Sequence, residues 1–321
     1  MFEIKSDRLI YAAKLKDLNL RMESQSGGAF TAIAECFIRH GASVYGCGLN
    51  EHNEAVYIRI TDLSSLKLIK GSKYVQAQMN NVFQLIENDL YDNKLVLFSG
   101  TPCYVTAVKK YFSGNKNYNL LYTVDLICHG VPSRKIYRDY LNHMEDRFSS
   151  PILNFNFRFK QGGWHQHMEK MTFENGMEYI SDDYTQLFYT NLGLRPSCGN
   201  CHFSNINRQG DFTVGDYWGV EKHIPSFDDN AGVSLLFFNS SRSLGFEKEI
   251  LEVLEYIKID ETQAIEQRNL ITSTIIPKCN RWFWHDYNKY GIKFCIKYWS
   301  PAGGLVFKVK RRLLRMFHMW D

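Results

Sequence analysis

Twice between Lys94 and Glu145 an apolar stretch of strand length runs through a glycine- or proline-containing turn into a helix, and each junction carries a cysteine. In "KLVLFSG" the strand pattern ends at Gly100. Thr101 is then a helix N-cap and Pro102 the first helical position, which places Cys103 in the opening turn of "TPCYVTAVKKYF". "NLLYTVDLICHGVPSRKIYRDYLNHME" repeats the design, with a strand ending at Cys128, a Gly-Val-Pro turn and a helix capped by Ser133. Two such units commit the chain to an α/β sheet and set both cysteines at the carboxyl ends of strands, the edge where open α/β sheets gather ligands. The two thiols are expected to be neighbours.

The flanking sequence extends this reading. "VYGCGL" and "VYIRITD" read as strands, and "VQAQMNNVFQLIENDL" has helical periodicity. Beyond Pro151 the character shifts. "ILNFNFRFK" alternates like a strand, and "MEKMTFENGMEYI" carries an Asn175-Gly176 pair typical of a tight hairpin. "DYTQLFYTNLGL" reads as a helix, "DFTVGDYWG" and "GVSLLFFNS" as strands, and "LGFEKEILEVLEYI" and "TQAIEQRNLI" as amphipathic helices. The expected fold is α/β, a mixed sheet with flanking helices and an antiparallel hairpin insertion. Its two parts, 1–150 and 151–321, show no clear linker between them and are expected to pack as one unit.

With 321 residues the chain has ample material for a buried core. A formal charge of +4, with no long basic run before the C-terminal segment, argues against nucleic acid as a partner. The start, "MFEIKSDRLIYAAKLKDLNLRMES", intersperses charges throughout and reads as neither a signal nor a transit peptide. Runs such as "VSLLFF" fall far short of the roughly 20 apolar residues needed to span a bilayer. The expected compartment is the cytoplasm, where disulfides are rare and grouped thiols bind metal or do redox work. Eight cysteines are present to consider.

"RPSCGNC" sets Cys198 and Cys201 two residues apart, a spacing shared by zinc knuckles, iron-sulfur sites and thioredoxin-like redox pairs. A structural zinc site wants a second close Cys/His pair, and none exists. A thioredoxin motif opens a helix after a strand, whereas Cys198 follows a helix and an Arg-Pro turn. Four thiolates from three segments, Cys103, Cys128, Cys198 and Cys201, suit a four-iron cluster enclosed by the folded domain. The bland reading keeps Cys103 and Cys128 as ordinary buried thiols.

The strings "QSGGAFTAIAE", "KGSKYVQA", "LFSGTPCYV", "VDLICHGVPS", "FRFKQGGW", "LRPSCGNCHF" and "GDFTVGDYWGV", in this order from Gln25 to Val220, resemble the beta-subunit family of coenzyme F-420 hydrogenases and dehydrogenases. The resemblance implies an iron-sulfur flavoprotein in which FAD lies beside a [4Fe-4S] cluster and passes electrons between it and an organic acceptor. The family's cluster cysteines are matched by Cys103, Cys128, Cys198 and Cys201. Relatives reduce a deazaflavin or pigments, and others resembling this chain look like proteins of bacterial polysaccharide loci. Many relatives begin with a ferredoxin-like C-x2-C-x2-C-x3-C-P module, whereas no cysteine precedes Cys36 here. Either a separate ferredoxin-like donor or acceptor is therefore expected, or the chain has lost part of the redox role. Tyr104 replaces the family's usual glutamine after the TPC cysteine, and "GDFWG" reads "GDYWG".

The flavin candidates follow from the same strings. Ser26, Gly27 and Gly28 precede a helix whose N-terminus could face phosphate oxygens, or they form a plain glycine turn. Ser72 and Lys73, then Ser99, Gly100 and Thr101, lie near strand or helix ends where polar ligand contacts gather. Arg158 and Lys160 alternate on one strand face, and Trp164 offers a stacking ring. Edge-strand charges beside a packed tryptophan explain the same letters. His129 is a candidate proton relay, and Asp216 a candidate for orienting a ligand or the flavin edge. The competing class is a non-redox accessory protein of polysaccharide assembly with a structural four-cysteine zinc site. "GGLVFKVKRRLLRMFHMWD" reads as a basic amphipathic helix, which either docks on an anionic membrane or a protein partner, or packs its apolar face on the core.

Overall fold

The computed structural model describes residues 8–320. Strand β1 (Leu9–Leu15) leads through the short α1 (Leu18–Glu23) into α2 (Ala29–Arg39), and β2 (Ser43–Leu49) turns back as β3 (Ala55–Ile60). Helix α3 (Val82–Tyr91), β4 (Val96–Gly100), α4 (Pro102–Phe112), β5 (Leu121–Leu126) and α5 (Arg134–Phe148) then alternate. A small antiparallel sheet follows, built from β6 (Ile152–Asn156), β7 (Glu169–Phe173) and β8 (Glu178–Ser181). After α6 (Asp183–Tyr189) the chain re-enters the large sheet with β9 (Phe212–Asp216), α7 (Val220–His223), β10 (Ser234–Phe238), α8 (Ser241–Leu244), α9 (Glu247–Glu252) and β11 (Leu254–Lys258). Three helices complete the order: α10 (Glu261–Ala264), α11 (Asn280–Trp299) and α12 (Leu305–Met316).

The large sheet has eight strands in the order β11-β1-β10-β9-β5-β4-β2-β3. Its centre is parallel, β2 with β4, β4 with β5 and β5 with β9, and antiparallel strands extend it on both sides. Strand periodicity divides the side chains between two faces. Leu97, Val124 and Phe212 pack with Ile33 and Phe37 of α2 on one face. Tyr45, Phe98 and Leu121 pack with Ile86 of α3 and Val105 and Val108 of α4 on the other. All four parallel strands therefore end at one edge, where the loops carrying Cys103 and Cys128 emerge.

The mixed sheet and the hairpin at Asn175-Gly176 agree with the sequence reading, but several elements differ. Strand β1 has no counterpart in that reading. The helix expected from Val75 begins only at Val82, because Gln78 bridges to Val56 and Asn80 takes a positive φ of 38°. "LGFEKEILEVLEYI" divides into α9 and a strand, β11, which pairs antiparallel with β1. "TQAIEQRNLI" supplies only the four residues of α10, capped by Asp260, and a 3-10 turn at Arg268–Leu270. Helix α11, broken at Gly291, is likewise new. Among the described residues no helix is long and apolar enough to cross a membrane.

The small sheet, α5, α6, α11 and α12 enclose a second core rich in aromatics. Its polar centre is the fully buried Glu169. One carboxylate oxygen accepts from the Tyr140 and Ser181 hydroxyls and the Tyr184 backbone N–H, and the other from the N–H and hydroxyl of Thr185. Burial nevertheless pushes its pKa up from 4.5 to about 7. Glu169→Ala strands these donors and should cost about 3 kcal/mol or more in chemical denaturation. Between pH 4.5 and 7 the unfolded chain has released a proton that the folded chain keeps, so wild-type stability should fall with rising pH across that window, a component absent from the variant.

Candidate active site

A cleft of about 370 Å³ opens at the carboxyl edge of β4, β5 and β9, within the ~300–1,000 Å³ of small-molecule sites. Ser26 and Gly28, Ser72 and Lys73, Ser99, Gly100 and Thr101, Cys103, Cys128, His129 and Asp216 all line it. Segments distant in sequence are thus gathered at one place, as the strand ends require. Gly27 serves the cleft indirectly: a Cβ there would lie 2.2 Å from the Ala13 carbonyl oxygen and 2.8 Å from the Ser234 nitrogen. Its missing side chain lets the loop before α2 lie against β1 and β10, where Gly27 N–H donates to Ser234 Oγ at 2.9 Å. Lys73 donates to the carbonyls of Lys70 and Gly71 at 2.6 and 3.1 Å, and burial draws its pKa down to about 8 against the pull of Cys47.

The four cysteines are brought together by pairing between loops. The segment after Cys128 bonds to the one before Cys198: Ser133 N–H donates to Gly193 O, Arg195 N–H to Val131 O, and Pro132 bridges Leu194. Gly130, at a φ of +143°, closes this contact, since a Cβ would lie 2.9 Å from Leu194 and 3.4 Å from the Cys198 Cβ. Val131 N–H points at Cys198 Sγ from 3.5 Å. Burial first, and then Cys198, Cys103 and Cys201, raise the Cys128 thiol to about 12. All four sulfurs therefore share one electrostatic neighbourhood. Cys103, in the first turn of α4, is exposed, with its sulfur 3.2 Å from the Thr101 hydroxyl.

What fixes the second pair of cysteines is a buried ion pair that sequence reasoning missed. Asp125 of β5 and Arg208 are 0% and 1% exposed and 3.1 Å apart. Asp125 also accepts from Gln209 N–H and the Thr213 hydroxyl, while Arg208 donates to the carbonyls of Phe203, Asn205 and Leu126. The loop following Cys201 is thereby bound to the strand preceding Cys128. A charged residue inside the otherwise apolar "TVDLI" was the available signal, because a buried carboxylate demands a partner.

Asp216, at the end of β9, anchors the other side. It accepts from the Ser26 hydroxyl and the Trp164 indole N–H and stands 3.7 Å from Arg158. Arg158 and Lys160 do not alternate on a strand face as the sequence suggested. Strand β6 ends at Asn156, and both side chains turn into the protein without lining the cleft. Lys160 donates to the carbonyls of Arg21, Ser26 and Ala231 at 2.8, 2.7 and 3.0 Å, and burial draws its pKa down to about 7. Arg158 donates to the Tyr74 hydroxyl and the Trp164 carbonyl. Trp164 is fully buried and stacks on Trp218 at 4.7 Å, and it is Trp218 that lines the cleft. These three residues shape the wall from behind.

His129 Nε2 donates to Asn191 Oδ1 (2.7 Å) and the ring packs against Phe188 and Tyr189, and burial lowers its pKa. Its ring therefore favours the neutral form near pH 7. The cleft also exposes residues not singled out in the sequence, including Gln25, Cys47, Tyr57, Arg195 and Gln267. Tyr104 lines it as well, and its hydroxyl donates to the Ala77 carbonyl at 2.9 Å.

Residues 93–264 match the family described as the C-terminal part of the coenzyme F420 hydrogenase/dehydrogenase beta subunit. The chain belongs to this family. Among solved structures, a chain of the F420-reducing [NiFe] hydrogenase complex from Methanosarcina barkeri is similar at 14% identity, with a TM-score of 0.57 over 88% of this chain and 93% of that one. No curated protein sequence matches. Within the family segment lie β4, β5 and β9 together with Cys103, Cys128, Cys198, Cys201 and the Asp125–Arg208 pair. Asp125→Ala leaves the Arg208 guanidinium buried without its partner, and should cost about 3–5 kcal/mol, measured by chemical denaturation.

Proposed function

We propose that this protein is an iron-sulfur flavoprotein oxidoreductase. Cys103, Cys128, Cys198 and Cys201 hold a four-iron cluster, and the adjoining cleft holds FAD and then an organic acceptor. The observation that carries this reading is the gathering of four thiols from three segments at the sheet edge: Cys103 and Cys128 line the cleft, and Cys198 and Cys201 lie behind it within electrostatic reach of Cys128.

The spacing of the thiols favours a cluster over a single ion. A zinc tetrahedron with bonds of about 2.3 Å sets its sulfurs about 3.8 Å apart. Among the described residues, the trio of metal-capable side chains with ligand atoms within 4.8 Å of one another is Cys36, His40 and Glu249, away from the cleft. Cys103, Cys128, Cys198 and Cys201 supply no such trio among the described residues, which does not favour a zinc tetrahedron. A bound organic group is supported by Gln25: its side-chain nitrogen is buried in the cleft wall without a hydrogen-bond partner. Such a donor awaits an acceptor.

When bound, a flavin supplies the exchange between single electrons and an electron pair or hydride. The residues of the chain supply position and charge. The loop at Ser26–Gly28 is held by Asp216 and Lys160, and its Gly27 and Gly28 N–H groups are taken by Ser234 Oγ and the Gln25 carbonyl, so phosphate oxygens would be met by the first turn of α2 at Phe30 and Thr31, which line the cleft. Lys73 adds a cation to the cleft lining, and Trp218 presents a ring for stacking. Neutral His129, beside Cys128, is positioned to pass a proton between solvent and the acceptor. A separate ferredoxin-like protein is assigned as electron partner.

Anaerobically purified protein should contain about four irons and four sulfides per chain, with one flavin. Cys198→Ser should lose most of the iron while its circular dichroism stays that of the wild type. Zinc in place of iron, with no flavin, would overturn the proposal.

A further inference from the structure

Helix α12 turns two different apolar surfaces outward and inward. Phe307 and Leu314, 3% and 8% exposed, pack on the second core. On the outer side Leu305, Val309, Leu313 and Met316 stand 76%, 53%, 51% and 67% exposed. Their steps of four, four and three residues align them along one side of the helix, and Phe317 (72%) continues the stripe. A helix on the surface of a soluble domain normally faces its apolar residues to the core and its polar ones to water. Here the larger apolar surface faces out.

The charge on this helix has one sign. Between Leu305 and Met316 stand Lys308, Lys310, Arg311, Arg312 and Arg315, with no Asp or Glu. Lys310 is turned inward over the Trp299 ring, 3.4 Å from Asp286. Lys308, Arg312 and Arg315 are exposed and flank the apolar stripe on one side. A cleft of about 610 Å³ beside them is lined by Lys308, Arg311, Arg312 and Arg315 together with Phe307 and Pro301. Cations beside a cleft, next to an exposed apolar stripe, match the two layers of an anionic lipid surface, phosphate headgroups above acyl chains. Twelve residues rise about 18 Å, too short to span a bilayer, so such a helix can only lie along its surface.

We propose that α12 is a membrane-surface element, which lies in the interface of an anionic bilayer with Leu305, Val309, Leu313 and Met316 in the acyl boundary and Lys308, Arg312 and Arg315 at the lipid phosphates. The electron chemistry of the cleft is independent of it.

Flotation of the full chain with vesicles of phosphatidylcholine, with and without phosphatidylglycerol, tests this. The wild type should float with the phosphatidylglycerol vesicles, remain behind with phosphatidylcholine alone, and be released by high salt. Each cation at an anionic surface contributes about 1 kcal/mol, about fivefold in partition, so Lys308→Gln with Arg312→Gln should weaken binding about 25-fold. Leu313→Asp should abolish flotation. These positions are exposed, so circular dichroism and melting temperature should remain those of the wild type. Wild-type protein that ignores phosphatidylglycerol vesicles, or binds both kinds equally, would overturn the proposal. So would a dimer in light scattering that Leu313→Asp dissolves in the absence of vesicle binding, which would assign the stripe to a second copy.

Discussion

The buried pair of Asp125 and Arg208 carries more of this structure than any other contact. Two charges removed from water are stable only when each meets the other and further hydrogen bonds, and here both are held in that way. Asp125 lies in the strand that ends before Cys128, and Arg208 in the loop that follows Cys201. The pair therefore joins the two halves of the thiol set at the point where the sheet is parallel. Because the parallel strands end at one edge, Cys103 arrives there from β4 without any separate device.

A second polar anchor stands at the end of the neighbouring strand β9. Asp216 collects the Ser26 hydroxyl, the Trp164 indole and the nearby Arg158, while Lys160 gathers three carbonyls, including that of Ser26. Ser26 itself holds a positive φ of 50°, a conformation disfavoured for a side-chain-bearing residue and maintained by this surrounding lattice of bonds. The loop opening α2 is in this way fixed before any ligand arrives, the condition under which backbone donors bind with little ordering cost. The loop before α2 and the loops carrying the cysteines are thus both tied to the sheet by side-chain and backbone hydrogen bonds.

Much of this was readable from local chemistry. Thr101-Pro102 and the Gly-Val-Pro turn dictate strand-to-helix junctions through caps and fixed dihedrals, so the places of Cys103 and Cys128 followed directly from the letters. Asn175-Gly176 fixed the hairpin in the same way. What escaped was decided by partners far off in the chain. "EILEVLEYI" has a helical period, yet its second half became β11 because the open edge of β1 needed a strand. Arg158 and Lys160 alternate in the sequence, but their chain leaves the sheet at Asn156, and burial among carbonyls sets their direction. Arg208 carried no local mark at all. Its role depends on Asp125, which only the fold brings near.

The central claim is that four sulfurs, assembled by parallel strands and one buried ion pair, enclose inorganic iron. Anomalous diffraction at the iron edge, on crystals of anaerobically prepared protein, tests it most directly. The expected result is one compact iron peak bounded by Cys103, Cys128, Cys198 and Cys201. Ordered side chains at all four positions with no iron signal between them would contradict the account.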